Sequence, residues 1–193
     1  MKPNKKIFFR FGVVSLVTIL IVLILSQLVF TIKITPTKVQ CTKWDATFVS
    51  LEATVERYNS NTLTDNEYAY SFTGELPSKN QDDYINIYCY FDVENNSYID
   101  QYSINGTLKS SSKYSENILF VSNANAAFTT QVFRNSSESA YIVLDVYVGN
   151  LNENQIHELV QGLTITVKAY GDLFGSRSKD ISFDKCENVS VEL

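Results

Sequence analysis

The chain has 193 residues, of which 45% are hydrophobic and 19% charged, and its formal net charge is −5. Four of the 16 basic residues lie in the first ten positions and all 21 acidic residues lie beyond residue 44, so the part after residue 32 carries a net charge of −9. An acidic surface of this kind repels phosphate backbones and argues against a nucleic-acid partner. The length after residue 32 suits one domain with a sizeable core.

The first predicted element is a membrane anchor. Residues 1–10 form a basic tail, and residues 11–32 contain no charged side chain. A helix that crosses about 30 Å of hydrocarbon needs about 20 such residues. Because basic residues collect on the cytoplasmic side, we predict a single signal-anchor helix with its N-terminus in the cytoplasm and the rest of the chain outside. A cleaved signal peptide is the alternative, although no A-x-A site follows the apolar run.

The stretch after the anchor is predicted to be a stalk, and the domain to begin behind it. Residues 33–44 contain Pro36 and spaced lysines and show no apolar period. From residue 45 to residue 193 the apolar period is mostly two, which is typical of strands. Residues 45–58 are predicted to be the first strand, because β-branched side chains favour a strand over the rival interpretation, a helix.

The remaining strands follow the same alternation. In residues 84–93, Ile85, Ile87 and Cys89 share one face while tyrosines occupy the other. The pair Asn105-Gly106 tolerates positive φ and predicts a tight hairpin turn. Further strands are predicted at residues 68–76, 98–104, 118–121, 127–133, 140–148, 163–169 and 189–193 and around Ile181 and Phe183.

One short helix interrupts the strands. Asn152 is a suitable N-cap, and Gln155 three residues later completes a capping box. Apolar side chains at i, i+3 and i+4 form one stripe between residues 153 and 161, and Gly162 suits a left-handed residue after the helix.

These elements predict an all-β fold. Eight to ten short strands with one dry and one wet face favour an immunoglobulin-like β-sandwich ectodomain with one short helix, preceded by the transmembrane helix. A barrel is the alternative architecture.

The three cysteines allow one long-range bridge. Cys41 and Cys186 lie near the two ends of the predicted domain, and a disulfide can persist outside the cytoplasm. We predict that these two pair, and that Cys89 is a buried thiol among apolar neighbours. Three unpaired thiols are the alternative.

The sequence predicts no catalytic chemistry. His157 is the only histidine, which excludes zinc sites that need two or three histidines. A dyad of Cys89 with His157 is conceivable, but the apolar neighbours of Cys89 predict an inert thiol. Known nucleophile, nucleotide and metal motifs are absent from the sequence. We therefore predict no enzyme, no cofactor and no metal.

The best candidate surface is aromatic. Tyrosine combines an apolar ring with a polar tip and suits contact with protein or sugar; the alternative is that tyrosines merely cover a sheet. We predict a non-catalytic binding protein of the cell envelope with a protein or cell-wall partner. An accessory subunit of an export, conjugation or surface apparatus is the second hypothesis, and an envelope hydrolase the third. The predicted partner surface comprises Tyr84, Tyr88, Tyr90, Tyr98 and Tyr102.

Overall fold

The structure, a computed structural model, describes residues 12–22, 32–43, 47–65, 67–96, 101–110, 113–123, 130–171, 175–184, 186 and 189–192. These residues contain three α-helices and ten strands. The helices are α1 (residues 12–22), α2 (Thr47–Asn59) and α3 (Glu153–Gln161). The strands are β1 (Ile32–Thr42), β2 (Glu67–Ala69), β3 (Tyr84–Asn95), β4 (Gln101–Ser110), β5 (Ile118–Ser122), β6 (Thr130–Phe133), β7 (Ser136–Tyr147), β8 (Thr164–Gly171), β9 (Gly175–Ser182) and β10 (Val189–Glu192).

The strands form two packed sheets, as predicted. The larger sheet has the order β10-β1-β3-β7-β5-β2 and the smaller one the order β6-β4-β8-β9. Buried residues of both sheets, such as Ile87 and Ile165, belong to one core cluster. The sheets are separate, which rules out the barrel alternative for these strands. Their order also differs from the four-and-three arrangement of an immunoglobulin domain, so the likeness holds only at the level of two stacked sheets.

Strand β3 confirms the alternation on which the fold prediction depends. Ile85, Ile87, Cys89 and Phe91 are at most 1% exposed and face the smaller sheet. Each buried side chain of this size contributes about 1.5–3 kcal/mol to folding. The opposite side chains point to the outer face of the larger sheet, where the candidate surface lies.

The predicted stalk is wrong, because residues 32–42 form strand β1 between β3 and β10. Its register against β3 shifts between Pro36 and Lys38. A bulge of this kind changes which residues point inward. Ile34 is buried before the shift, and Val39 and Cys41 are buried after it. The inward positions therefore change from even to odd, and no single period remains in the sequence.

The predicted strand at residues 45–58 is also wrong, because Thr47–Asn59 is helix α2. Leu51 and Thr54 are buried and Val55 packs against the same cluster. This spacing of three and four residues places them on one face of a helix. Arg57 lies in the last turn, where a cation interacts favourably with the helix dipole. Burial against other elements therefore outweighs the β-branched composition.

No hairpin turn forms at Asn105-Gly106, because both residues lie inside β4. A Cβ atom on Gly106 would lie 2.9 Å from Cγ2 of Ile142 in the other sheet. The Asn123 side chain donates to the Gly106 carbonyl at 2.7 Å and accepts from its N–H at 3.3 Å. The glycine thus permits close approach of the two sheets, a role different from the turn that was predicted.

Helix α3 forms as predicted, with its capping box and with Ile156, Leu159 and Val160 buried. One detail differs, since Gly162 has a right-handed conformation with φ −80°. The predicted strand at 68–76 is reduced to the three residues of β2.

The predicted anchor is described only in part. Residues 12–22 form α1, and residues 23–31 lie outside the described residues. Within the described part of the chain, we find no helix whose length and hydropathy are sufficient to cross a membrane.

Candidate binding surface

The outer face of the larger sheet has a covered end and an open end. At the covered end, α2 and the segment that follows β2 pack on the sheet. Their contact with the sheet forms a second apolar cluster, which consists of Leu51, Phe72, Tyr84, Leu119 and Phe120. The open end lies farther along β3 and β7, at Tyr88, Tyr90 and Tyr141.

Tyr84 belongs to the covered end and is not available to a partner. Its side chain is 1% exposed. The hydroxyl donates to the Ser78 carbonyl at 2.6 Å and accepts from the Ser78 N–H at 2.9 Å. Burial raises the pKa of this phenol. The strand alternation predicted the face of Tyr84 correctly. The residue does not serve as a contact surface there, because it fixes the 70–78 segment to the sheet.

The open end carries three tyrosines that contact one another, and we call Tyr88, Tyr90 and Tyr141 the tyrosine patch. Their ring centroids are separated by 6.2 Å (Tyr88–Tyr90), 5.7 Å (Tyr88–Tyr141) and 5.1 Å (Tyr90–Tyr141). All three side chains are partly exposed. Burial raises the pKa of Tyr88 and Tyr90, with a smaller contribution from Tyr141. These two phenols therefore stay protonated at neutral pH and offer hydroxyl groups beside an apolar surface.

A cation lies over the tyrosine patch. Lys38 is paired with Tyr90 in the β1–β3 register, and its Nζ lies 4.7 Å from the Tyr90 ring centroid. An ammonium at this distance is attracted by the electron-rich face of the ring. The Tyr90 ring therefore already contacts a charged group of the folded chain.

A hydrogen-bonded pair marks the boundary between the open and covered ends. Asn86 and Asp145 are directly opposite on β3 and β7, and Asn86 Nδ2 donates to Asp145 Oδ1 at 2.6 Å. Burial raises the pKa of Asp145 to about 6, although the bond from Asn86 and the charge of Arg57 favour the ionised form. This carboxyl therefore changes charge close to neutral pH.

An ion pair at the same boundary connects α2 to β2. Arg57 donates to both carboxylate oxygens of Glu67, at 3.1 Å and 2.6 Å, and also to Thr54 Oγ1 at 2.9 Å. Burial raises the pKa of Glu67, but the bonds from Arg57 and Thr64 outweigh burial and lower it overall. The pair is two-pronged and half-buried, so it holds α2 in place over the covered end.

Of the two remaining predicted tyrosines, the structure describes one, and that one is not part of the patch. Tyr102 lies on β4 in the smaller sheet, opposite Val132 and Gly171, and Tyr98 lies outside the described residues. The sequence prediction missed Tyr141, which is paired with Tyr90 across β3 and β7. Its outward position in the alternation of residues 140–148 was a signal, but only the strand register brings it to Tyr90.

The cysteines are thiols in the structure, and the predicted Cys41–Cys186 bridge stays a prediction. Cys41 and Cys89 are fully buried on neighbouring strands, and Cys186 is half-buried against the same core. Burial raises the pKa of Cys41 to about 12 and that of Cys89 well above its usual value. Thiols that resist ionisation in this way are poor nucleophiles.

The described residues do not assemble a reactive centre from the remaining candidates. His157 lies on the exposed side of α3, with Nε2 2.9 Å from Nε2 of Gln161, whereas Cys89 is buried in the core. These two residues therefore do not form a dyad. In the part of the chain that the structure describes, no three His, Cys, Asp or Glu side chains are grouped so that they could hold a metal ion.

Comparisons with protein families, with curated proteins and with solved structures find no match for this chain. The function must therefore be inferred from the sequence and from the geometry of the outer face.

Proposed function

We propose that this chain is a single-pass membrane-anchored protein of the cell envelope whose outer β-domain binds a partner and performs no catalysis. The uncharged run at residues 11–32 and the basic tail before it support the anchor and its orientation. Strand β1 begins at Ile32, so the folded domain would start where the apolar run ends, with no intervening stalk.

The tyrosine patch is the observation that carries the binding proposal. Three tyrosines lie side by side at the open end, while Tyr84 on the same face is sealed by other elements. Tyrosine is enriched at the centres of binding interfaces because its ring is large, rigid and amphipathic. A partly exposed cluster of such rings is therefore the best candidate for partner contact.

Protease treatment of intact cells tests the anchoring. We expect trypsin to degrade the acidic domain while the N-terminal tail remains with the membrane fraction. Survival of the domain in intact cells with digestion after lysis, or release of the domain into the medium, would contradict the proposed topology.

Photo-crosslinking tests the binding. A photoreactive side chain in place of Tyr90 in the full chain should capture a partner in intact cells. The double substitution Tyr88→Ala and Tyr90→Ala should reduce co-purification of that partner. Tyr170→Ala is a matched control, because Tyr170 is 45% exposed on the smaller sheet. Equal capture by all variants would refute the patch as the contact site, and recovery of many subunits in fixed ratio would favour the accessory-subunit hypothesis.

A further inference from the structure

We infer that Asn105-Gly106 is a latent deamidation site, one that reacts only when the fold opens locally, and that the side chain of Asn123 protects it in the folded chain. The pair is the only Asn-Gly sequence among the 193 residues, and it lies inside β4 instead of forming a turn. Asparagine is a thermolabile residue. A following glycine has no Cβ atom, so its backbone nitrogen is open to approach.

The modification has two steps and needs only water and hydroxide. In the first step, the amide nitrogen of Gly106 loses its proton to hydroxide and attacks Cγ of Asn105. The bond between Cγ and Nδ2 breaks, ammonia leaves with a proton taken from water, and a five-membered succinimide remains. In the second step, water opens the ring at either carbonyl, so that position 105 becomes aspartate or isoaspartate. Isoaspartate routes the main chain through the side chain and lengthens β4 by one atom.

Asn123 holds both reacting groups of the pair. Its Oδ1 accepts from the Gly106 N–H at 3.3 Å, which holds the proton that must leave. Its Nδ2 donates to Asn105 Oδ1 at 2.8 Å and to the Gly106 carbonyl at 2.7 Å. Attack would require rotation of the backbone between the two reacting residues. That rotation would break these three hydrogen bonds and the pairing of both residues with β8.

The protection at Gly106 comes from a side chain because strand pairing stops short of it on one edge of β4. Within the described residues, the pairing of β4 with β6 ends at Ile104. Beyond that point Asn123 binds the Gly106 N–H, and the Tyr68 hydroxyl accepts from the Leu108 N–H at 2.9 Å. Asn123 follows the end of β5, a strand of the other sheet. A local opening between β5 and β4 therefore exposes the site, at a lower cost in free energy than global unfolding.

The close approach of the two sheets gives the two products different consequences. Aspartate at position 105 keeps an oxygen that accepts from Asn123, and the position is paired with Lys168 on β8. Isoaspartate displaces the Gly106 backbone, where an added Cβ atom would already lie 2.9 Å from Cγ2 of Ile142. A close-packed interior does not accommodate such a displacement without strain. Isoaspartate therefore separates Gly106 from Asn123, whereas aspartate is tolerated.

Peptide mass spectrometry of the full chain, incubated in detergent at mildly alkaline pH, tests the inference. The measured quantity is the rate at which Asn105 gains the mass of an amide-to-acid exchange. Wild type unfolded in urea should convert quickly and native wild type slowly. Asn123→Ala should convert about 10-fold faster than native wild type, because it removes hydrogen bonds that local opening must otherwise break. Asn135-Ser136, where Asn135 is exposed in the turn before β7, is the internal reference in every digest.

Two further variants separate the role of Asn123 from general loosening of this edge. Tyr68→Phe removes the hydroxyl that holds the Leu108 N–H and leaves Asn123 in place, so Asn105 should convert as slowly as in wild type. Asn123→Asp keeps an acceptor for the Gly106 N–H and loses both donated bonds. Its rate should lie between that of wild type and that of Asn123→Ala.

Several outcomes would overturn the inference. Equal rates in native and urea-unfolded wild type would show that the fold gives no protection, and no conversion in urea would remove the site itself. An unchanged rate in Asn123→Ala, or equal acceleration by Tyr68→Phe, would remove the role of Asn123. Circular dichroism identifies a variant that has unfolded. If Asn123→Ala unfolds, Asn123→Asp takes its place, and a wild-type rate in that variant contradicts the inference.

Discussion

Tyr84 and Tyr90 lie on the same face of the same strand, yet they have opposite roles. At the covered end, the Tyr84 hydroxyl is hydrogen-bonded to Ser78, and the ring is buried in the second apolar cluster beneath α2. At the open end, Tyr90 has two tyrosine neighbours and a lysine above it, and remains partly exposed. Strand alternation determines the face of a side chain, but elements distant in sequence determine whether that face is covered. A tyrosine on a sheet is therefore a structural residue or a contact residue according to what packs above it.

The largest expected effect lies at the covered end, where Phe120→Ala would remove a fully buried ring. Its centroid lies 4.7 Å from that of Phe72 and 6.1 Å from that of Tyr58. We expect the free energy of unfolding to fall by about 3–5 kcal/mol, because lost burial and a residual cavity add. Urea unfolding of the full chain in detergent measures the change. Phe133→Ala on the smaller sheet is the control for ring removal, since Phe133 is 53% exposed. A comparable loss there would show that burial at the covered end is not the cause.

The boundary between the ends should make stability depend on pH. Burial raises the pKa of Asp145 from 3.8 to about 6, so the folded state binds a proton more tightly than the unfolded state. The stability contributed by this proton is present at low pH and is lost as pH rises from about 4 to about 6. We expect Asp145→Asn to raise the free energy of unfolding at neutral pH by about 1–3 kcal/mol. The difference from wild type should vanish below about pH 4.

Denaturant unfolding of both proteins across this pH range checks the prediction. Asp92→Asn at the open end is the control, since its carboxylate accepts from Ser139 on the exposed rim. A wild-type-like pH profile for Asp145→Asn would show that this carboxyl is not the titrating group.

Much of the fold could be predicted from the spacing of apolar residues within each segment, because this spacing shows which face of a strand or helix is buried. Strand β3 was predicted with its inward residues because its apolar alternation is uninterrupted. Helix α3 was predicted with its inward residues because its sequence contains a complete capping box and one apolar stripe. Strand β1 was missed because the bulge after Pro36 shifts its period. Helix α2 was missed because its β-branched side chains favour a strand until tertiary packing on Phe72 and Phe120 is considered.

The candidate surface was predicted only in part, for a physical reason of the same kind. Tyr88 and Tyr90 follow from alternation within one strand. Tyr141 and Lys38 are brought next to Tyr90 by the pairing of β3 with β7 and with β1. The pattern within a single strand does not reveal this pairing. Tyr84 was assigned to the surface because the cover over it comes from residues 70–78 and from α2.

A smaller effect is expected from the ion pair that holds α2 at the boundary. Arg57 and Glu67 form a half-buried, two-pronged pair at 2.6 Å, whereas Lys33 and Glu94 form a single contact on the open rim. A double-mutant cycle with Arg57→Met and Glu67→Gln should give a coupling energy of about 1 kcal/mol. The matched cycle with Lys33→Met and Glu94→Gln should give a much smaller coupling energy, because water and salt screen an exposed pair. Equal coupling in both cycles would remove the assigned role of Arg57 in fixing α2.

The smallest effect concerns Lys38, whose ammonium lies 4.7 Å from the Tyr90 ring centroid. Lys38→Met keeps the length of the side chain and removes the charge, so it isolates the cation–π contact. We expect the free energy of unfolding to fall by about 0.5 kcal/mol, because such contacts are weak where water competes. Lys113→Met is the control, since the Lys113 ammonium lies 5.2 Å from the Tyr114 ring in another part of the molecule. A loss above about 2 kcal/mol would place Lys38 and Tyr90 in the folded core. A small loss means instead that the open end contributes little to folding, which leaves its three tyrosines available for contact with a ligand.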